Sequence, residues 1–223
     1  MNIVSYALWG TDPTYRVGAL RNVELIAKYY GPAWRCRFYL FESTRDMERQ
    51  LQDAGADTAY TPFTDENYGL FARHAVAWDT GVSRFVIRDA DSRPSAREAE
   101  LVREWVRSDR AFHSIRDHRR HTSPIMGGMW GAIRERLPIA FRSNWEDWLR
   151  AVADGTVPYF RAAAGRYGRY SDQAFLALSV WPYAMTDCLM HEQHSRQDLR
   201  DGEYFIGQQW HVIDGKETPI WVR

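Results

Sequence analysis

Residues 2–87 alternate short apolar runs with stretches of helical spacing, and that alternation restricts the fold more than any other feature. Asn2–Leu8 reads as a first strand, closed by Trp9-Gly10. Thr11-Asp12-Pro13 then supplies capping and first-turn residues for a helix. Val17, Leu20, Val23, Ile26, Ala27 and Tyr30 recur at helical spacing until Gly31-Pro32 stops them. The pattern then repeats, with a strand at 37–41, a polar helix at 44–54 ended by Gly55, a short strand at 58–63, a helix at 68–79 and a strand at 83–87. This order predicts an α/β fold with a mostly parallel central sheet flanked by helices, Rossmann-like in build. In such sheets ligands bind beyond the carboxyl ends of the strands.

Farther along, Ser95-Ala96-Arg97-Glu98 has the form of a capping box, and Leu101, Val102, Trp105 and Val106 give the helix behind it a buried face. A strand is expected at 111–115, and helices at 143–154 and 171–181, the second stopped by Pro182. Residues 185–223, rich in His, aromatics and turn formers, read as an irregular C-terminal tail lying over the site. No break in composition divides the chain, so 1–223 is expected to form one domain.

Composition excludes several functions. Formal net charge is zero, which offers no attraction to a polyanion, so no nucleic-acid partner is expected. No window is long and apolar enough for a membrane span, and MNIVSYALWG lacks the form of a signal peptide. Cys36 and Cys188 make no metal or redox spacing and suit a reducing compartment, so a cytoplasmic location is expected. Of 29 basic residues only Lys28 and Lys216 are lysines. Genomic base composition accounts for that bias, and so would phosphate recognition by planar guanidinium forks.

The stretch FVIRDADSR, residues 85–93, holds the chemistry. An apolar strand runs into Asp89 and Asp91, two carboxylates that repel each other unless a cation sits between them or one is protonated. A hard divalent ion, Mg²⁺ or Mn²⁺, resolves the repulsion and also bridges phosphates. Ser92-Arg93 adds groups suited to a diphosphate. A solvated turn whose Asp caps the next helix is the plainer reading of the same residues. Two carboxylates leave an ion short of ligands; the tail offers His191, or less directly His194, from an HxxH pair that His118 and His121 repeat. Neither is the HExxH of zinc proteases. Gly127-Gly128-Met129-Trp130-Gly131 is either a turn carrying a core Trp or a backbone that approaches a ligand closely, with an aromatic platform for a sugar. Ser171-Asp172-Gln173 opens a helix.

Taken in order, SYALWG, RCRFYL, FVIRDADSR, FHSIRDHRRH, PIMGGMWG, SDQAFL and YFIGQQW resemble GT-A-fold, nucleotide-sugar-dependent glycosyltransferases, with motifs in the order found in glycogenin-like enzymes and in small bacterial and viral proteins of polysaccharide gene sets. The resemblance implies a metal-dependent transferase that moves a sugar from a nucleotide-sugar donor to a hydroxyl of a carbohydrate or small-molecule acceptor, with Mn²⁺ or Mg²⁺. It makes 1–93 the nucleotide-binding half and 94–223 the acceptor half and tail. Ala7, Leu8 and Trp9 would border the base; Arg73, Arg88, Asp89, Ala90, Asp91 and Arg93 would line the donor; Asp89, Asp91 and His191 would hold the metal. Gly127, Gly128, Met129 and Trp130 would form the acceptor loop. Asp172 and Gln173 match the acidic motif that follows, and Asp172 and Asp117 are the candidate bases if the reaction inverts. The motif order leans towards retention. Two departures stand out: the acidic motif is Asp-Gln-Ala without a second Asp, and the final motif lacks its usual Lys, with Gln208-Gln209 nearby instead. The competing readings are a haloacid-dehalogenase-like phosphohydrolase, which needs a downstream Lys and acid pair, and a non-catalytic carbohydrate-binding protein with a degenerate transferase fold.

Overall fold

A computed structural model describes residues 1–61, 69–138, 171–192 and 204–220. The helix expected at 143–154 lies outside these residues, as does His194. The strands are β1 (Asn2–Leu8), β2 (Trp34–Leu40), β3 (Asp57–Tyr60), β4 (Arg84–Ile87), β5 (Phe112–Arg116), β6 (Trp130–Ile133), β7 (Cys188–Glu192), β8 (Trp210–Ile213) and β9 (Lys216–Pro219). The helices are α1 (Pro13–Tyr30), α2 (Glu48–Asp53), α3 (Gly69–Ala72), α4 (Ala96–Ser108), α5 (Ser171–Phe175) and α6 (Trp181–Ala184). Seven strands form one sheet in the order β3-β2-β1-β4-β6-β5-β7, and β8 and β9 form a hairpin. All pairings in the main sheet are parallel except those of β6, which runs against both β4 and β5.

The sheet separates two apolar layers because side chains alternate along each strand. Ile3, Phe85, Ile87, Phe112 and Trp130 face one layer. Val4, Tyr6, Phe38 and Val86 face the other, against α1 and α4, with Trp105 of α4 packed into that layer. Both helices start as their sequences dictate. The Asp12 side chain accepts the Thr14 N–H at 2.8 Å, with Pro13 in the first turn. Ser95 Oγ accepts the Glu98 N–H at 3.1 Å. Among the described residues, no helix is long and apolar enough to cross a membrane.

Several local expectations give way to tertiary packing. The segment expected as one helix at 44–54 is a 3₁₀ stretch, Glu42–Met47, followed by α2. In the 68–79 segment, α3 tightens into a second 3₁₀ stretch, Arg73–Trp78. Pro182 does not end the helix at 171–181. It sits in the first turn of α6, where its missing N–H costs nothing, after a π-wound stretch at Leu176–Val180. Trp130–Ile133, read as part of a Gly-rich loop, is the antiparallel strand β6, and Gly131 lets its backbone press on Phe85 and Val86. Residues 188–192, expected in the irregular tail, complete the sheet as its edge strand β7. The remainder of the described tail, 204–220, does lie over the carboxyl end of β4: the Trp210 N–H donates to the Asp91 carbonyl at 2.8 Å.

Beneath that end lies a buried ion pair. Arg88 Nε donates to Glu98 Oε1 at 2.6 Å, and both side chains are only 2% exposed. Tyr30 donates to the same oxygen, and Arg88 Nη1 donates to the Ile87 carbonyl at 2.8 Å. This pair ties β4 to α4 and α1. Removing one partner strands a charge in the core, so Glu98→Ala is expected to destabilise the protein by about 3–5 kcal/mol. Urea unfolding followed by tryptophan fluorescence measures it, and a loss below about 1 kcal/mol would show that water reaches Arg88.

Candidate functional site

Immediately beyond β4 the chain divides its charges between the two faces of the sheet. Arg88 points into the α1–α4 layer and Asp89 to the opposite side, as strand alternation requires. On that opposite side the Arg73 guanidinium, 3% exposed, is the hub. It donates to Asp89 Oδ1, to the Arg88 carbonyl at 3.2 Å and to Asp172 Oδ2 at 2.7 Å. The Arg73 carbonyl accepts from Ser5 Oγ at 2.6 Å, which fastens the hub to β1. Asp172 enters from the first turn of α5 and accepts the Gln173 N–H at 2.8 Å. Burial raises the Asp172 carboxyl above its ordinary value even though Arg73 pulls it down. Gly127 and Gly128 press onto this cluster: a Cβ at Gly127 would collide with Asp172 Oδ2, and one at Gly128 with Asp89 Oδ2. The structure thus brings Arg73, Asp89, Asp172, Gly127 and Gly128 into one place.

Asp91 stands beside them with 4% exposure, after a turn in which the Asp89 carbonyl accepts from Ser92 Oγ at 2.8 Å. Burial, then the Asp89 charge, pushes its carboxyl up to about 7. Its Oδ2 accepts from Gln209 Nε2 at 3.1 Å. Gln209 is held there by backbone contacts on both sides, through the Ser92 bridge and the Ile220 N–H at 2.9 Å. Gln209 was not among the expected site residues, although YFIGQQW carried the signal; only the crossing of the tail over β4 shows which glutamine meets Asp91.

The fit to a divalent ion can be judged from this geometry. Asp89, 41% exposed at its side chain, and buried Asp91 offer hard oxygens beside a glycine with no room for a Cβ. A cation would offset the burial and the Asp89 charge that together raise Asp91. Among the described residues no group of three or more His, Cys, Asp or Glu could hold a metal, so the remaining ligands would be an amide, water or phosphate. His191 does not supply one. It sits on edge strand β7, three strand spacings from β4, about 14 Å at about 4.8 Å each. There its ring meets His113 edge-on at 5.1 Å and Glu104 at 3.9 Å.

Other expected residues are also placed elsewhere. Asp117 does not face the hub. Its carboxylate grips Arg97, with one contact of 2.8 Å, and accepts the Ile206 N–H at 2.7 Å, so it anchors the tail. Arg88 is committed to Glu98. Arg93 packs on Gly18 of α1 and donates to Glu217 at 2.7 Å and to the Ala90 carbonyl at 3.1 Å, which removes it from the Asp89 side. Trp130 is no platform; its ring is buried between His74, at 5.7 Å, and Phe85, at 5.4 Å. Met129 is buried under Gly207, whose φ of 87° and lack of a Cβ let the tail cross it. Ala7, Leu8 and Ala90 are core residues at the carboxyl ends of β1 and β4. Trp9 remains half-buried at the mouth, against Phe41 at 6.2 Å and Tyr15 at 6.3 Å. Gln173 accepts from Ser123 Oγ at 3.0 Å.

No protein-family model matches the chain, and no curated protein matches it. Solved structures do. An active-site mutant of LgtC matches with TM-score 0.52 and 11% identity, over 85% of this chain and 72% of that one. The fold is GT-A. Mouse xyloside xylosyltransferase 1 matches with TM-score 0.49 and 12% identity, over 86% of this chain and 85% of that one. Glucosyl-3-phosphoglycerate synthase from M. tuberculosis matches with TM-score 0.49 and 15% identity, over 89% and 74%. Against another solved mycobacterial protein the match spans about half, 54%, of that chain. At these identities the likeness is one of fold.

The raised Asp91 carboxyl has a consequence for stability. Between its ordinary 3.8 and about 7 the native state keeps a proton that the unfolded chain has released. Stability contributed by that group is therefore present at low pH and lost as pH rises through this window. Without metal, Asp91→Asn is expected to remove that part of the decline and to be the more stable protein above about pH 7. Thermal unfolding of both proteins from about pH 5 to about pH 8 measures it, and parallel curves would refute the assignment.

Proposed function

We propose that the protein is a metal-dependent glycosyltransferase that moves a sugar from a nucleotide-sugar donor to an acceptor hydroxyl. The observation that carries this reading is the pair Asp89–Asp91 at the carboxyl end of a central strand, braced by buried Arg73 and short of positive charge at Asp91. A GT-A sheet puts that pair where open α/β sheets bind ligands. Asp89, Asp91 and the Gln209 amide would hold Mn²⁺ or Mg²⁺, which when bound neutralises charge on the leaving diphosphate. Trp9 would border the base. Arg73 orients Asp89 and Asp172 together, so donor-side and acceptor-side carboxylates share one rigid support. The backbone at Gly127 and Gly128 leaves room for an acceptor close to that support.

Two observations favour retention over inversion. Asp117 is engaged by Arg97 and the tail. Asp172 has one oxygen on buried Arg73 and the other on the Gln173 N–H, so both are already engaged. In a retaining reaction the departing phosphate can take the acceptor proton, and Asp172 would position rather than deprotonate. The hydrolase reading wants a lysine at the site; Lys216 instead stands exposed on β9.

The test is release of free nucleoside diphosphate from a panel of nucleotide sugars with Mn²⁺, with and without simple glycoside acceptors. Turnover of one donor is expected, with the anomeric configuration kept. Absence of turnover together with sugar binding would favour the non-catalytic alternative. Arg73→Lys keeps the charge and loses the fork to its two carboxylates, so kcat is expected to fall by about 100-fold or more, with a smaller effect on folding. A near-normal kcat would show that Arg73 only fills the core.

A further inference from the structure

The tail that crosses β4 brings one side chain to the acidic pair, and the chemistry of that side chain bears on which ion the pair can take. Gln209 Nε2 donates to Asp91 Oδ2 at 3.1 Å. The backbone pins Gln209 to the same turn. It bridges Ser92, its carbonyl accepts the Ile220 N–H at 2.9 Å, and the next N–H, that of Trp210, donates to the Asp91 carbonyl at 2.8 Å. We propose that Gln209 determines the ion specificity of the metal site: its amide oxygen joins the Asp89 and Asp91 carboxylates in a ligand set made of oxygen alone, so that Mg²⁺ is held nearly as well as Mn²⁺. This inference rests on the metal-dependent reading above and adds to it which residue decides the ion.

The hydrogen bonding leaves suitable atoms in reserve. Arg73 takes Asp89 Oδ1, and Asp89 Oδ2 lies against Gly128, where a Cβ would strike it. Asp91 holds Gln209 by Nε2, which keeps the other amide atom, Oε1, beside the carboxylate. Among the described residues neither Asp89 Oδ2 nor Gln209 Oε1 accepts a hydrogen bond. Gln209 is exposed, so its amide oxygen is not consumed by the core. An amide also carries no charge, and it can add a ligand without adding to the repulsion between the two carboxylates.

No imidazole competes for the place among the described residues. No third His, Cys, Asp or Glu joins Asp89 and Asp91 there. His191 is held on β7 against His113. His211, two residues beyond Gln209, is exposed on β8, where it pairs with Thr218. The distinction matters because carboxylate, carbonyl and water oxygens suit Mg²⁺ and Mn²⁺, whereas an imidazole favours transition ions over Mg²⁺. A glutamine that only tied the tail to Asp91 would act on both ions alike. The ratio of the two affinities therefore separates a ligand from a tie.

Binding of Mn²⁺ alone to the full chain, followed by loss of the free-ion electron paramagnetic resonance signal, tests the proposal, with Mg²⁺ measured by displacement. Asp91→Asn identifies the binding that belongs to this site. The two dissociation constants are expected to lie within about tenfold of each other. Gln209→Leu is expected to weaken both ions by about tenfold or more. Gln209→His is expected to keep Mn²⁺ and weaken Mg²⁺, widening the ratio by about tenfold or more. A larger ratio in the unaltered chain, normal binding in Gln209→Leu, or an unchanged ratio in Gln209→His would overturn the assignment. So would loss of Mn²⁺ binding in His194→Ala or His211→Ala, which would make a histidine the ligand. Absence of any divalent binding would remove the metal dependence along with this inference. Binding that is indifferent to Gln209 removes this inference alone, and donor turnover is measured separately.

Discussion

A buried guanidinium sets the terms for the rest of the molecule. Arg73 lies at 3% exposure, where an uncompensated charge would be prohibitive. Its compensation comes from Asp89 beyond β4 and Asp172 at the start of α5, residues far apart in the chain. The arginine can be buried only if both elements arrive, and both carboxylates are oriented only if the arginine is buried. Gly127 and Gly128 belong to the same constraint, because any side chain there would strike the two acids.

A second buried pair makes the division of charge possible. Arg88 and Asp89 are neighbours in the chain, yet alternation sends Arg88 to Glu98 in the α1–α4 layer and Asp89 to Arg73 in the other. Positive charge that could have neutralised the carboxylates locally is committed to a structural pair. Arg93 is committed in the same manner to Glu217 and Arg97 to Asp117. Asp91 is therefore faced by an amide rather than a cation, and burial, then the Asp89 charge, raises its carboxyl. The arginines that look like phosphate ligands in the sequence hold loops and tail together, and that commitment leaves Asp91 with an amide as its side-chain partner.

The tail shows how one segment can serve two surfaces. Gly207 allows it to cross Met129, after which Gln208 and Gln209 point to opposite sides. Asp117 holds its start through the Ile206 N–H, and Glu217 holds its return through Arg93.

Much of the architecture was legible in the sequence. Alternating strand and helix patterns, capped by Asp12 and Ser95, determined a mostly parallel sheet with the acidic pair at its ligand-binding end. These signals are local, carried by residues a few positions apart. Arg73, Asp89 and Asp172 were each recognisable as candidates, though not as a triad around one guanidinium. Tertiary structure alone decided which arginine meets which acid, that Trp130 enters the core, and that the strand carrying His191 closes the far edge of the sheet. Those outcomes depend on the order of strands and on which face each side chain takes. A shift of one residue reverses the face and one strand position moves a ligand by about 5 Å. Local pattern does not contain either quantity.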